Sequence, residues 1–291
     1  MSPYPADLYP VPPAPPQSAK ELVDQLIDER APRLRKHPRL WSIIRPTAGA
    51  LMGYGDAIRM VDTVRPMRAR EAFDWAASYL ELTVNAHGLD GIPETGPVVI
   101  IGNHPGGIAD GIALWQAIRE KRPDLCFLAN RDALRVCPGL EDMLIPVEWR
   151  KNARSRANAR DTLKGSMEAL NQGRCLAIFP SGRMARWRWR QWGLVEEPWT
   201  PTAISLARRF NTPVVTLGVR QSMPIAFYAL DQIHEELRDI TLFHGLMRQR
   251  RKTYRLRFSG PVPARDIPGS EAEATAILLK QADALAWGRQ A

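Results

Sequence analysis

The chain has 291 residues, of which 40 are Lys or Arg and 31 are Asp or Glu, so its formal net charge is +9. Hydrophobic residues make up 45% of the chain and charged residues 24%, which are ordinary values for a globular protein and exclude global disorder. The positive charge predicts an anionic partner, and composition alone leaves nucleic acid, a membrane surface and a phosphorylated substrate open.

The sequence shows neither a membrane-spanning segment nor a signal peptide. A spanning helix needs roughly 20 mostly apolar residues, whereas the best candidates, residues 47–55 and 221–230, are shorter and have charged neighbours. The first residues lack a basic-then-apolar pattern, so we expect a cytoplasmic protein. The three cysteines, Cys126, Cys137 and Cys175, have no metal-binding spacing and are expected to be buried, reduced thiols.

In chain order, three sections are expected. Residues 1–17 are a proline-rich arm, typical of extended chain. Residues 18–92 carry apolar side chains at helical spacing and predict a helical N-terminal section packed on the core. From residue 93 short apolar runs alternate with helical segments, which predicts an α/β domain over 93–291 with a largely parallel central sheet flanked by helices. The predicted strands are 97–102, 125–130, 144–148, 174–179, 213–218 and an edge strand at 253–258, and the predicted helices are 111–119, 156–171, 203–210 and 270–287.

The most informative stretch follows the first predicted strand of that domain. Asn103 and His104 come directly after the strand, then a Pro-Gly-Gly turn with Gly106 and Gly107, and then Asp110 at the start of a helix. Functional groups of parallel sheets gather at the carboxyl ends of the strands. His104 is a candidate general base, Asp110 could orient its ring, and the glycines would let a ligand approach the backbone. A histidine that merely caps a tight turn is the structural alternative.

This stretch resembles the first motif of the glycerolipid acyltransferases, the family of 1-acylglycerol-3-phosphate acyltransferase. In that motif four residues separate the His from the Asp, whereas five separate His104 from Asp110. The form His-Pro-x-Gly-Gly-x-x-Asp-Gly is closer to the bacterial hemolysin-like or lyso-ornithine-lipid acyltransferase branch. The resemblance covers about residues 40–263 and implies an O-acyltransferase of lipid metabolism, with Asn103, Gly106 and Gly107 beside the substrate.

Two further motifs of the family match in part. The resemblance makes Arg150 the candidate for binding the acceptor's phosphate, although a solvated basic helix face is an equal alternative. The third motif, Phe-Pro-Glu-Gly-Thr-Arg-Ser, corresponds to residues 179–185, where Ser181 replaces the Glu, Gly182 matches, and Arg183 comes one place early. Arg186 is the second choice for the cation at this loop.

The following segment, residues 183–192, reads RMARWRWRQW. Its alternation of indoles and cations is typical of contact with a lipid headgroup layer, and the residues expected at the membrane are Trp187, Arg188, Trp189, Arg190 and Trp192. Stacking on nucleic-acid bases and an ordinary edge strand, with Trp inward and Arg outward, are the alternatives. Residues 248–257 add six basic residues and no acid, and could extend this surface or bind the phosphates of a coenzyme A donor.

Together these features predict an acyltransferase that moves an acyl group from acyl-CoA or acyl-carrier protein to the hydroxyl of a lysophospholipid or related lysolipid. Neither a metal nor a bound cofactor is expected, and the acyl donor is a co-substrate. The protein is expected on the inner face of an anionic membrane, with nucleic acid an improbable partner. A hydrolase that uses the same His-Asp pair, and a non-catalytic membrane- or nucleic-acid-binding protein, are the alternatives.

Overall fold

The computed structural model describes residues 17–51, 53–148 and 155–289, so the proline-rich arm lies outside it. In these ranges the α-helices are α1 (Ala19–Glu29), α2 (Pro38–Leu51), α3 (Tyr54–Val64), α4 (Ala69–Leu80), α5 (Ile108–Ile118), α6 (Asp132–Val136), α7 (Arg156–Asn171), α8 (Thr202–Arg209), α9 (Ile225–Ile233), α10 (Glu235–Ile240), α11 (Leu242–Met247) and α12 (Glu271–Trp287). The strands are β1 (Thr83–His87), β2 (Val98–Gly102), β3 (Cys126–Asn130), β4 (Leu144–Val147), β5 (Cys175–Ile178), β6 (Arg186–Arg188), β7 (Gly193–Val195), β8 (Pro213–Arg220), β9 (Thr253–Phe258) and β10 (Val262–Pro263).

The described strands, other than β6 and β7, form one sheet in the order β1-β9-β8-β2-β5-β3-β4, with β10 paired to the start of β8. β8, β2, β5, β3 and β4 run parallel, whereas β9 is antiparallel to β8, and β1 runs parallel to β9. The expected α/β fold with a largely parallel sheet is therefore confirmed.

Helices cover both faces of the sheet, which explains the unbroken apolar runs of its central strands. Every residue of β2 is buried, as a strand between two helical layers requires. On one face the core includes side chains of α4 and α5. On the other face it includes side chains of α7, α8 and α12. The three cysteines are free and buried as expected, and burial raises the pKa of Cys126 and Cys137 to about 11.

Local sequence signals set several helix boundaries. Capping boxes of Ser18 with Glu21 and of Ser270 with Glu273 begin α1 and α12. Gly53, with φ of 71°, separates α2 from α3, because a left-handed residue interrupts a helix.

The structure differs from the sequence-based expectations at one side of the sheet. The N-terminal section predicted as helical contains β1, so the α/β part of the chain begins at Thr83 rather than at residue 93. The segment at 253–258 is a strand as predicted, but β9 lies between β1 and β8 and is not an edge strand. Apolar and polar residues alternate along β9, which is typical of a strand with one exposed face. That β9 has a neighbouring strand on each side follows only from its long-range pairing with β1.

Two features lie at the carboxyl edge of the parallel strands. β6 and β7 form a separate two-stranded antiparallel hairpin after β5. α9 follows β8. Phe227 and Tyr228 of α9, with Met223 just before it, form a buried cluster against which Trp187 and Leu194 of the hairpin pack. The hairpin and α9 therefore border the place where His104 leaves β2.

Candidate active site

His104 and Asp110 lie in direct contact despite the five residues between them. His104 Nδ1 is 2.9 Å from Asp110 Oδ2. The Gly106 amide donates to the same carboxylate, at 2.9 Å to Oδ2 and 3.1 Å to Oδ1. Because a carboxylate only accepts, Nδ1 carries the hydrogen, and Nε2 is left as the ring nitrogen that can exchange a proton with a substrate.

The two glycines of the turn make the longer spacing possible. A β-carbon on Gly106 would overlap Asp110 Oδ1 and lie 2.5 Å from the Tyr254 hydroxyl oxygen. Gly107 has φ of 68° and ψ of −140°, and a β-carbon there would lie 2.7 Å from Met184 Sδ. The extra residue is thus taken up by a tight glycine turn before α5. The predicted substrate contact of these glycines stays a prediction.

The environments of the two members of the pair differ. Asp110 is fully buried, while the His104 side chain keeps 21% of its surface exposed. The His104 ring stacks on Phe179, with ring centroids 4.5 Å apart and planes at 21°. Burial raises the pKa of the Asp110 carboxyl above its ordinary value, and the hydrogen bonds from His104 and the glycine amides oppose that rise. The arrangement presents one accessible imidazole backed by a buried carboxyl group.

Asn103 plays a different part from the one predicted. Its Nδ2 donates to the Val219 carbonyl oxygen at 2.9 Å, and the Val219 amide donates to its Oδ1 at 2.6 Å. The buried side-chain amide thereby joins the ends of β2 and β8 rather than facing a substrate. This pairing holds the carboxyl end of β2 in register just before His104.

Glu196 is a site residue that the sequence did not indicate. It directly follows β7, and its Oε1 accepts the main-chain N–H of His104 at 2.7 Å. Its Oε2 accepts the indole N–H of Trp199 at 3.2 Å. On the other strand of the hairpin, the Ala185 amide donates to the His104 carbonyl oxygen at 3.2 Å. The base of the hairpin therefore holds the main chain of His104 on both sides.

The loop after β5 carries the predicted third motif. The Ser181 hydroxyl donates to the Arg183 carbonyl oxygen at 2.7 Å, and Gly182 has φ of 60° with open space beside it. The Arg183 side chain is exposed, and within the described ranges no acidic partner contacts its guanidinium. Arg183 is therefore the cation at this loop that stays free for an anionic ligand.

Arg186, by contrast, is neutralised within the fold. It makes a bidentate contact with the buried Asp231, at 2.9 Å from Nε and 2.8 Å from a terminal nitrogen. Asp231 also accepts from Arg238 at 2.7 Å. This ion pair fastens the hairpin to α9, so the structure does not support Arg186 as a phosphate ligand. The other predicted cation, Arg150, lies outside the described residues.

The Trp/Arg segment forms the hairpin and divides into two parts. Trp187 packs on the α9 cluster, and Arg188 points to solvent and binds Glu197 at 2.8 Å, as an ordinary strand would predict. Trp189 and Trp192 sit in the turn, where they are 60% and 74% exposed. All three indoles contact one another edge to face. Arg190 is exposed beside them. The edge-strand alternative thus accounts for the strand but not for the exposed turn.

Comparison with known proteins shows which families and structures the chain resembles. A family model described as Acyltransferase matches residues 83–220, which run from the first residue of β1 to the last of β8. A lyso-glycine lipid O-acyltransferase of Phocaeicola vulgatus is 26% identical over 193 residues, which cover 64% of this chain and 66% of that protein. A lyso-glycine lipid O-acyltransferase of Bacteroides thetaiotaomicron is 26% identical over 195 residues, covering 64% and 68%. The chain thus spans about two thirds of the length of these curated relatives.

Among solved structures, the 1-acyl-sn-glycerophosphate (LPA) acyltransferase PlsC from Thermotoga maritima matches 94% of this chain and 99% of its own, with a TM-score of 0.48 and 12% identity. The family match and the two relatives confirm the expected resemblance to the glycerolipid acyltransferases. The expectation that it is an acyltransferase is confirmed at the level of that family.

Proposed function

We propose that the chain transfers a fatty acyl group from acyl-CoA or acyl-carrier protein to the hydroxyl of a lysolipid, with His104 as the general base. The 2.9 Å contact between His104 Nδ1 and the buried Asp110 carboxyl group is the observation that carries the proposal. It leaves Nε2 as the ring nitrogen that can take a proton, on a side chain that keeps 21% of its surface exposed.

The proposed reaction has two steps. His104 Nε2 takes the proton of the acceptor hydroxyl while its oxygen attacks the thioester carbonyl carbon. The tetrahedral intermediate then collapses, the carbon–sulfur bond breaks, and the departing thiol takes the proton back from His104. The products are an ester and a free thiol. Asp110 keeps the ring in the required tautomer and stabilises the transient imidazolium.

For the acceptor, we propose a lysolipid with a carboxylate headgroup, recognised by Arg183. The curated relatives are named for lyso-glycine lipid, which supports an amino-acid headgroup. In the described part of the loop the only candidate cation left unpaired is Arg183, because Arg186 is held by Asp231. One guanidinium suits a carboxylate, whose two oxygens match its paired donors.

A membrane surface is the proposed place of the reaction, and the hairpin turn is the proposed contact. Beyond the hairpin turn, α9 exposes Ile225 (87%) and Ile233 (72%). The Trp189 indole N–H donates to Gln232 of α9 at 3.2 Å, which joins the two surfaces. Exposed indoles, aliphatic side chains and the cations of the hairpin suit an anionic headgroup layer. Among the described helices, none has the length and apolarity to span a bilayer.

The test of the activity uses the purified full chain with radiolabelled acyl-CoA and, in parallel, acyl-carrier protein. Acceptors on anionic vesicles are lyso-glycine lipid, lyso-ornithine lipid and 1-acyl-glycerophosphate. We expect a labelled diacyl product that is lost in His104→Ala and in Asp110→Ala, with the amino-acid lipids preferred. Labelled free fatty acid in place of the lipid would establish the hydrolase alternative. No product from any pairing, with variants that are folded and still bind vesicles, would establish a binding protein.

The membrane contact has its own test, the sedimentation of the protein with anionic vesicles. The double variant Trp189→Ser/Trp192→Ser should bind about tenfold or more weakly, since each indole loses its apolar burial. Trp287→Ser is the matched control, because Trp287 is also exposed (53%) but stacks on Arg220 at the end of α12. Equal loss in the control would contradict the proposed surface.

A further inference from the structure

Glu196 holds the site together from outside the recognised motifs. Its carboxylate accepts the His104 main-chain N–H at 2.7 Å and the Trp199 indole N–H at 3.2 Å. The nearby Ser181 side chain lowers the pKa of this carboxyl. One side chain thereby joins the loop after β2 to the segment that follows β7.

The donors around Glu196 suit an ionised carboxylate. The backbone N–H and the indole N–H can only donate, so their partner must accept with both oxygens. Burial raises the pKa of the Glu196 carboxyl, while the His104 N–H, the charge of a protonated His104 and the Trp199 indole oppose the rise.

Glu196 also lies beside a motif position that lacks its usual carboxylate. Ser181 stands where the third family motif has a glutamate, and Ser181 is near enough to Glu196 to lower the pKa of its carboxyl. A carboxylate is thus present beside this loop, but it comes from 15 residues further along the chain, as the numbering shows.

The charged and titratable groups near His104 come from several elements. Asp110 contacts the ring from α5, and Glu196 contacts its main chain from the hairpin. Burial, and to a smaller extent the nearby charge of Asp110, raises the pKa of two phenols, Tyr228 of α9 and Tyr254 of β9. The pKa of Tyr228 rises to about 12. Both phenols therefore stay neutral over the working pH range, and the two carboxyl groups set the local charge.

From this geometry we infer that Glu196 is a positioning residue for His104: it holds the histidine main chain and supplies a second negative charge that favours the imidazolium formed during acyl transfer. The inference rests on the proposed function. It assigns to the hairpin a part in the chemistry in addition to the proposed membrane contact. Glu196 touches no reacting atom and acts through His104.

The kinetic test compares Glu196→Gln with Glu197→Gln. The first keeps an acceptor for the His104 N–H but removes the charge, and the second removes the neighbouring charge, which pairs with Arg188 at 2.8 Å and does not contact His104. Glu196→Gln should lower kcat about tenfold, leave the KM values for donor and acceptor within about twofold, and move the acid limb of the pH profile to lower pH. Glu197→Gln should change none of these.

A second measurement does not depend on activity. The chain has five histidines, so selective 15N-histidine labelling gives five backbone amide signals, and the one absent in His104→Ala belongs to His104. Its signal should lie downfield, because the N–H donates to a carboxylate, and should move upfield in Glu196→Gln but not in Glu197→Gln. Glu196→Asp keeps the charge but is shorter, so we expect a smaller shift and an acid limb near that of the wild type.

The outcomes separate this inference from the proposed function. If Glu196→Gln matches Glu197→Gln in kcat, pH profile and the His104 amide signal, the inference is wrong whatever the reaction. If His104→Ala retains full activity, the proposed general base is wrong, and the amide signal still decides whether Glu196 holds His104. If Glu196→Gln does not fold, Glu196→Asp carries the test, and an unchanged amide signal in that variant overturns the inference.

Discussion

Replacing Asp110 with asparagine keeps the shape of the side chain and removes its charge. In the wild type, Asp110 accepts from His104 Nδ1 at 2.9 Å and from the Gly106 amide at 2.9 and 3.1 Å. An asparagine must turn its NH₂ group towards one of these donors. The variant therefore loses either the hydrogen bond that sets the tautomer of His104 or the bond that holds the glycine turn.

The expected size of the effect follows from the geometry. With the two charge centres about 4 Å apart and an effective dielectric constant of about 20, a carboxylate stabilises an imidazolium by about 4 kcal/mol. Since about 1.4 kcal/mol corresponds to a tenfold change in rate, D110N should lower kcat by about 10³-fold. The assay is steady-state acyl transfer on vesicles, with circular dichroism to show that the variant is folded. A loss below about tenfold would refute the assignment of Asp110 as the partner of the base.

The same substitution should also change how the stability of the fold depends on pH. Because burial raises the pKa of Asp110 in the folded chain, the folded state holds the proton more tightly than the unfolded chain does. The contribution of this group to stability is therefore present below the ordinary aspartate value of 3.8 and is lost as pH rises towards the folded pKa. Relative to the wild type, D110N should gain stability as pH rises through that range. Urea unfolding at a series of pH values measures the difference, and a variant that loses stability with rising pH would contradict this account.

Three further substitutions test how the site is held. Gly106→Ala should abolish acyl transfer and lower the free energy of unfolding by about 1–3 kcal/mol, because its methyl group overlaps Asp110; an active, stable variant would show that the turn is looser than described. Asp231→Asn should lower that free energy by about 3–5 kcal/mol and speed hydrogen exchange in the hairpin, because it leaves Arg186 half-paired in a buried site; unchanged exchange would be the contrary result. Asn103→Ala should cost about 1–3 kcal/mol, since two backbone groups lose their partner, as urea unfolding would show.

The exposed turn and the active site share one structural element. β6 and β7 carry Trp189 and Trp192 at their tip, and their base contacts the main chain of His104 through Ala185 and Glu196. The hairpin is fastened to α9 by the ion pair of Arg186 with Asp231. We therefore expect a substitution in this ion pair to alter the positions of both the exposed indoles and His104.

Local patterns were sufficient for most of the α/β core. A strand covered on both faces must be apolar throughout, so the run that became β2 was recognisable without knowledge of its neighbours. α7 was predicted with its observed bounds, and in the structure the Ser155 side chain caps its first turn. β1 was missed because its side chains are only partly buried, and its strand character depends on pairing with β9 from far along the chain.

Charge pairing explains the remaining differences. The sequence offered Arg183 as the first choice of cation and Arg186 as the second, but could not show that Arg186 pairs with Asp231, which is 45 residues away. Asn103 was predicted to contact the substrate because it precedes His104. Its side-chain amide is instead hydrogen-bonded to the backbone of Val219, 116 residues away. In both cases the decisive partner belongs to another element, and no local spacing indicates it.

The sequence by itself predicted the fold class from apolar periodicity. Its resemblance to a known strand-end motif predicted the acyltransferase family and the His104–Asp110 pair, because both signals are local properties of the chain. The tertiary structure alone decided that the five-residue spacing still brings Nδ1 within 2.9 Å of the carboxyl group, since this depends on how Gly106 and Gly107 pack. It also decided which arginine is free and that Glu196 contacts His104. These depend on which side chains from distant segments meet at the carboxyl edge of the sheet, and only the folded chain brings them together.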